Sequence, residues 1–172
     1  MRTSYAIALG SNQPHARFGR PEAVLRAACA ELSTGATRLI AMSSILRSAP
    51  IGPSLRTYAN AAALIDTRLD PLELLAHLKS IEAAFGRRTG GQRWRARVLD
   101  LDIMLWSEGA FEAPGLCIPH IAFADRRFVL DPLARIAAHW RDPRSGLTIY
   151  QLARYKTYSL VTSPSATLIS AP

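Results

Sequence analysis

Apolar and polar positions along the chain change period several times, and each change marks an element. Residues 4–9 (SYAIAL) form a short apolar run closed by Gly10-Ser11-Asn12, which predicts a buried strand ending in a turn. After Pro21 the segment EAVLRAACAEL repeats at helical spacing and stops near Gly35. Residues 37–47 are rich in β-formers, a loop marked by Pro50, Gly52 and Pro53 comes next, and a second strand is predicted from about Tyr58 to Thr67. Asp70-Pro71 has the form of an N-cap with proline in the first helical position. Leu72, Leu75, Leu78, Glu82 and Phe85 then recur at three- and four-residue steps up to Gly86. A glycine-rich basic loop, GRRTGGQRWRA, leads into VLDLDIMLW. There, strict alternation puts Leu99, Leu101, Ile103 and Leu105 on one face, and Asp100 and Asp102 on the other with Val98, Met104 and Trp106. A hairpin ending in Ile118-Pro119-His120 comes next. Residues 124–140 read as a helical region that Pro132 should break or restart, and 147–155 as a short last helix.

The order β-α-β, β-α-β predicts an α+β fold. The expected architecture is a ferredoxin-like βαββαβ sandwich: a central antiparallel sheet with helices packed on it, plus an extra C-terminal hairpin and helices. At 172 residues one domain over 1–160 is long enough to bury a core without disulfides or structural metal, and no solenoid repeat is present. The small, polar, proline-tipped stretch 161–172 is expected to be a frayed tail.

Charge narrows the ligand. The net charge of +8 comes mostly from arginine, with lysine only at Lys79 and Lys156. Arginine forks suit phosphate or carboxylate, although a genome rich in G and C enriches arginine as well. Composition alone does not choose between a nucleotide and a nucleic acid. Cys29 lies in an apolar helical pattern and reads as core, and two isolated cysteines suit a reducing compartment. The N-terminal apolar run is too short for a signal peptide, and no run approaches the roughly 18 apolar residues of a membrane span. A cytoplasmic protein without a membrane partner is expected.

Asp100 and Asp102 carry the strongest chemical signal. Two carboxylates on one strand face repel unless a cation sits between them, and oxygen donors suit magnesium, which keeps waters and phosphates in its shell. Taken alone, the pair suits an exposed sheet face better, since charged residues are mostly exposed. Arg87, Arg88, Arg93, Arg95 and Arg97 lie within a dozen residues upstream, however, and metal with arginine is the usual equipment of phosphoryl chemistry. Trp94 inside that arginine run offers a flat ring for stacking on a heterocycle. Tyr58 and Asn60 share one strand face while Ala59, Ala61, Ala63 and Ile65 line the other. If the apolar faces of both strands meet helices, Tyr58, Asn60, Asp100 and Asp102 look out on one open side. Asn60 there suits either a planar heterocycle or a cross-strand hydrogen bond. His120 suits a phosphate contact or a structural role. There is no GxxxxGK[ST], GxSxG, HExxH or CxxC motif.

Together, ALGSN (8–12), RSAPIGP (47–53), YANAA (58–62), IEAAFGR (81–87), RWRARVLDLDI (93–103), IPH (118–120) and RRFVLDPL (126–133) resemble the 6-hydroxymethyl-7,8-dihydropterin pyrophosphokinases, in family order, from about residue 4 to residue 160. The resemblance implies transfer of pyrophosphate from ATP to the pterin hydroxymethyl group, with release of AMP. It implies that Asp100 and Asp102 hold two magnesium ions. Ser48, Ile51, Tyr58, Asn60, Trp94 and Phe128 match pterin positions. Glu82, Trp94, Arg97, Ile103, His120 and Arg126 match ATP positions, and Arg87 matches a catalytic-loop arginine. Small-molecule substrates, no nucleic-acid partner and a monomer are expected.

The chain departs from the family pattern at Thr89 and Gly115, where arginine is usual, and at Cys117, Ile121, Ala49 and Arg95-Ala96. Two other readings stand beside the first. One is a relative that keeps the pterin pocket but has weakened or redirected transfer. The other is a nucleic-acid module built on the same sheet, against which stand acids where an RNA-binding strand displays aromatics.

Overall fold

The computed structural model describes residues 1–49, 56–86 and 97–161. Its elements are β1 (Thr3–Ser11), α1 (Pro21–Glu31), β2 (Thr37–Met42), β3 (Leu46–Ser48), β4 (Tyr58–Thr67), α2 (Pro71–Ala84), β5 (Asp100–Trp106), β6 (Phe111–Ala113), β7 (Leu116–Ile118), α3 (Arg127–Ile136) and α4 (Ile149–Val161). The main sheet has the order β2-β4-β1-β5, with β3 paired to the outer edge of β4, and every pairing in it is antiparallel. β6 and β7 form a separate hairpin.

Each face of the sheet has its own core. On one, Ile7, Leu9, Ala61, Ala63, Leu101 and Ile103 meet Leu25 and Ala28 of α1 and Leu74 and Leu78 of α2. On the other, Ala6, Ala62 and Met104 meet Val129, Leu130 and Leu133 of α3 and Leu152 of α4. This second face is only partly covered, and the remainder opens above Ala8 and Gly10. α2 starts where Asp70-Pro71 predicts: the Asp70 carboxylate accepts the Glu73 N–H at 2.8 Å, and the Glu73 carboxylate accepts the Asp70 N–H at 2.9 Å. Gly86 ends that helix at φ 82°.

Three expectations need correction. Alternation along β5 fails at its end. Ala6 pairs with Leu105 but Ile7 with Ile103, so Met104 is an extra residue, a bulge. Past it the faces exchange: Leu105 joins the α3–α4 core, and Trp106 turns to stack on Tyr5 at 5.9 Å. Pro132 does not break α3. The ring removes one donor in the middle of the helix, while Val129, Leu130, Pro132 and Leu133 pack inward and the Ala137 N–H still reaches the Leu133 carbonyl at 2.8 Å. The last helix also runs past the expected 155, to Val161.

Cys29 is buried in the α1 core, and burial pushes its thiol up to about 11. A thiol reagent at pH 8 should therefore titrate Cys117 in the folded protein and Cys29 only after denaturation; equal reaction of both without denaturant would contradict this packing.

Candidate active site

The site is laid out by the middle strand. The β1 register sets Gly10 opposite Asn60 on one side and Asp100 on the other, and Ala8 between Ala62 and Asp102. Neighbouring strands lie about 4.8 Å apart, so Asn60 and Asp100 stand about 10 Å apart across the sheet with only Gly10 between them. Gly10 and Ala8 leave that floor low. A cavity of about 550 Å³ opens above it, bordered by Ser48, Tyr58, Asn60, Arg97, Asp100, Asp102, His120, Arg126 and Phe128.

The Asn60 end is neutral and hydrogen-bonding. Asn60 is buried and its Nδ2 donates to Ser48 Oγ at 2.8 Å, so the amide both borders the cavity and bonds across strands. Tyr58 flanks it on β4. Phe128 stands on α3 with the Arg126 guanidinium 5.8 Å from its ring centre.

The Asp100 end is charged. Arg97 pairs with Asp100, and the Arg97 backbone is held by Asn12: its N–H donates to Asn12 Oδ1 at 2.7 Å, and the Asn12 N–H donates to its carbonyl at 3.1 Å. Burial works against the Arg97 cation, but Asp100, Asp102 and Glu82 together hold its proton more firmly than usual. Asp102 lies deeper. Burial first and the Asp100 charge second raise its pKa, against the opposing pull of Lys79, His120 and Arg97. A second carboxylate that resists ionising beside the first is what a divalent cation relieves, so the donor set fits magnesium. Among the described residues no cluster of three or more His, Cys, Asp or Glu forms a protein cage, which leaves the other ligand positions to water and phosphate. His120 Nδ1 accepts the Ala122 N–H at 3.2 Å, which puts the proton of the neutral ring on Nε2, and burial favours that neutral ring.

Two expected site residues lie elsewhere. Ile103 is buried in the α1–α2 core. Glu82 is fully buried on α2, where its Oε1 accepts the Leu101 N–H at 2.7 Å and its carboxylate pairs with Lys79 at 3.1 Å. β5 is the edge strand, so its outward N–H groups need a partner from outside the sheet, and Glu82 provides one between the two aspartates. Gly115 sits at φ 82° after Pro114 in the turn between β6 and β7, a conformation that an arginine adopts only with strain. Ile51, Arg87, Arg88, Thr89, Trp94 and Arg95 lie outside the described residues. The residues missed in sequence are Ala8, Gly10 and Asn12; their signal was that Ala6, Ala8 and Gly10, all small, share one face of a strand whose other face is large.

Glu82→Ala should cost about 2–3 kcal/mol in urea denaturation, because it strands a buried N–H, whereas Glu82→Gln keeps an acceptor and should cost less than about 1.5 kcal/mol. Equal losses would shift the weight to the Lys79 pair. A Cβ on Gly10 meets Asn60 and Asp100 only at 3.8 and 3.9 Å. Gly10→Ala should thus keep fold and ligand binding, while Gly10→Leu should keep the fold but abolish binding in the cavity, measured by calorimetry. Normal binding by Gly10→Leu would place the ligand away from this floor.

Known proteins resemble the chain in sequence and in fold. A family model described as 7,8-dihydro-6-hydroxymethylpterin-pyrophosphokinase matches residues 6–138. The chain is similar to the 2-amino-4-hydroxy-6-hydroxymethyldihydropteridine pyrophosphokinase of Haemophilus influenzae, with 37% identity over 163 residues, covering 94% of this chain and 98% of that protein. The Pseudomonas aeruginosa protein of that name is 41% identical over 138 residues, with 80% and 82% covered. The Synechocystis one is 44% identical over 110 residues, with 64% and 56% covered. In structure the chain is similar to wild-type Plasmodium falciparum HPPK-DHPS, with a TM-score of 0.74 and 12% identity, covering 93% of this chain and 42% of that one; this likeness is one of fold. The chain thus spans just over half of the Synechocystis relative and under half of the Plasmodium chain.

Proposed function

The chain belongs to the 7,8-dihydro-6-hydroxymethylpterin-pyrophosphokinase family, and from that premise we propose that it transfers pyrophosphate from MgATP to the hydroxymethyl group of 6-hydroxymethyl-7,8-dihydropterin, releasing AMP, in folate biosynthesis. The observation that carries the reading is the single row Asn60–Gly10–Asp100. It sets a neutral hydrogen-bonding pocket beside a paired carboxylate at a distance of about two strand spacings, roughly 10 Å. A pterin hydroxymethyl group and a nucleotide triphosphate can then meet above Gly10.

In this reading the pterin ring lies between Tyr58 and Phe128, with Asn60 and Ser48 on its edge. The hydroxymethyl oxygen attacks the β-phosphorus of ATP, the bond from that phosphorus to the α-phosphate oxygen breaks, and AMP departs. Asp100 and Asp102 would hold the magnesium, two ions in the expected arrangement, which would supply neutralisation of phosphate charge and Lewis-acid polarisation of the reacting oxygens. Arg97, anchored by Asn12 and Asp100, faces the phosphates from the strand entrance. His120 and Arg126 line the far side, where a neutral Nε2–H and a guanidinium both donate to phosphate oxygens. Of the arginine loop, Arg87 and Trp94 are assigned to the phosphates and to closure over both substrates. The sheet order β2-β4-β1-β5, with α1 and α2 connecting its strands on one face, supports a ferredoxin-like βαββαβ core.

The test is AMP formation from ATP and magnesium with and without the pterin. Pterin-dependent AMP is expected, with turnover falling on the order of a hundredfold or more in Asp100→Asn or Asp102→Asn while the melting temperature holds. Near-normal turnover in either variant would remove the metal role from that residue. Pterin binding without AMP would favour the relative with weakened transfer.

A further inference from the structure

The turn that joins the α3 region to α4 is built around one buried carboxylate. Asp142 Oδ1 accepts the Arg144 N–H at 3.1 Å and Oδ2 accepts the Ser145 hydroxyl at 2.6 Å, while the Asp142 carbonyl accepts the Gly146 N–H at 2.8 Å. Gly146 closes the turn at φ 71°, and the Arg141 guanidinium donates to its carbonyl at 2.9 Å. This bonding fixes the direction in which Arg144 leaves the backbone. Its guanidinium Nη2 then donates to Cys117 Sγ on β7 at 2.8 Å. A thiol is a weak acceptor and leaves most of the fork's donors unused. Among the described residues Arg144 forms no ion pair, in contrast to Arg2, Arg38, Arg47, Arg97 and Arg127, each of which meets a carboxylate.

Cys117 lies close in the chain to the cavity wall. Three residues on, the His120 N–H donates to the Met104 carbonyl at 3.0 Å, which lays this segment along β5 beside Asp102. His120 is therefore flanked by unlike charges: Asp100 and Asp102 favour its protonation, while Arg126 and Arg144 oppose it. Asp100 and Asp102 border the cavity, and so do His120 and Arg126. Cys117, and with it the Arg144 fork, thus lies on the strand that leads directly to His120 on the cavity wall.

We propose that Arg144, held on the Cys117 thiol by the Asp142 turn, is a further binding residue for the nucleotide and takes an anionic oxygen of its phosphate chain at the His120 rim of the cavity. The proposal rests on the reading of this cavity as a site for a nucleoside triphosphate. It extends that site to a segment, 141–148, that borders none of the cavity floor.

Equilibrium binding of MgATP and, separately, of the pterin to the full chain and to Arg144→Ala, Arg144→Lys and Cys117→Ala tests it. Arg144→Ala should weaken MgATP about tenfold and raise the KM for ATP to match, with pterin affinity unchanged and kcat at saturating ATP within about twofold. Arg144→Lys keeps the charge without the fork and should fall between. Cys117→Ala removes only the guide and should cost about threefold. The salt dependence of MgATP binding should flatten in Arg144→Ala. Unchanged MgATP affinity in Arg144→Ala overturns the proposal. So does an equal loss for both ligands with a lower melting temperature, which would make the residue a clamp for the turn. A wild-type chain that binds MgATP but forms no AMP would refute the transfer reading and leave the Arg144 comparison decisive.

Discussion

The site depends on one constraint, the antiparallel register that threads β1 between β4 and β5. Side chains in a strand alternate between faces, so a slip of one residue would set Leu9 opposite Asn60 and Asp100, forcing either Leu9 out into the cavity or the polar side chains into the α1–α2 core. The register is held because both faces are specified. Tyr5, Ile7 and Leu9 fit only the larger core, and Ala6, Ala8 and Gly10 fit only under α3 and the cavity. The small residues that give β1 little packing on its second face are the ones that make room for ligands there.

Electrostatics then impose a cost on the charged end. Asp102 is buried beside Asp100, and its raised pKa means that the fold disfavours the ionised pair. By linkage that penalty is absent below the ordinary carboxylate range and grows as pH rises through it toward the raised value. The chain tolerates it through groups placed on other elements. Arg97 is tied to β1 by Asn12, and Lys79 stands on α2 beside Glu82. Glu82 meanwhile anchors the strand itself at Leu101, the residue between the two acids. The edge strand is thus fixed from behind by one carboxylate while it presents two others in front, and the repulsion that Arg97 and Lys79 leave in the front pair is what the proposed magnesium would relieve.

Most of the fold was legible because the patterns were local. Asp70-Pro71, Gly86, the β4 alternation and the faces of β5 through Ile103 all arise from spacing and turn chemistry. What was not legible was set by partners distant in sequence. The Met104 bulge depends on the β1 ladder, and it alone decides that Leu105 and Trp106 exchange faces. Pro132 looked like a breaker because its one lost bond was visible and the buried packing that outweighs it was not. Glu82 matched a position expected at the nucleotide. Its burial against an edge N–H could be known only once β5 was found to lie at the edge. Gly115 looked like a lost arginine, whereas Pro114-Gly115 is a turn that needs a left-handed residue. Arg144 carried no signal at all, since the thiol that holds it is 27 positions away in the chain.

On the proposed function, the division between the two ends of the cavity accounts for how one small sheet would serve two unlike ligands. A neutral heterocycle gains most from a dry slot with fixed donors and acceptors, which Tyr58, Asn60, Ser48 and Phe128 supply on β3, β4 and α3. A polyphosphate gains most from charge, which comes from β5, from Arg97 before it and from the segment after β7. Placing charge next to the neutral slot would ordinarily draw water into it. Here Gly10 and Ala8 separate the two by a single strand without raising a wall, so the neutral end and the charged end meet only above β1, where the proposed transfer would take place. Arg126 and Arg144 belong to segments outside the β1–β4–β5 register. On the proposed reading, affinity for the anionic ligand is therefore set there without disturbing the geometry of the floor.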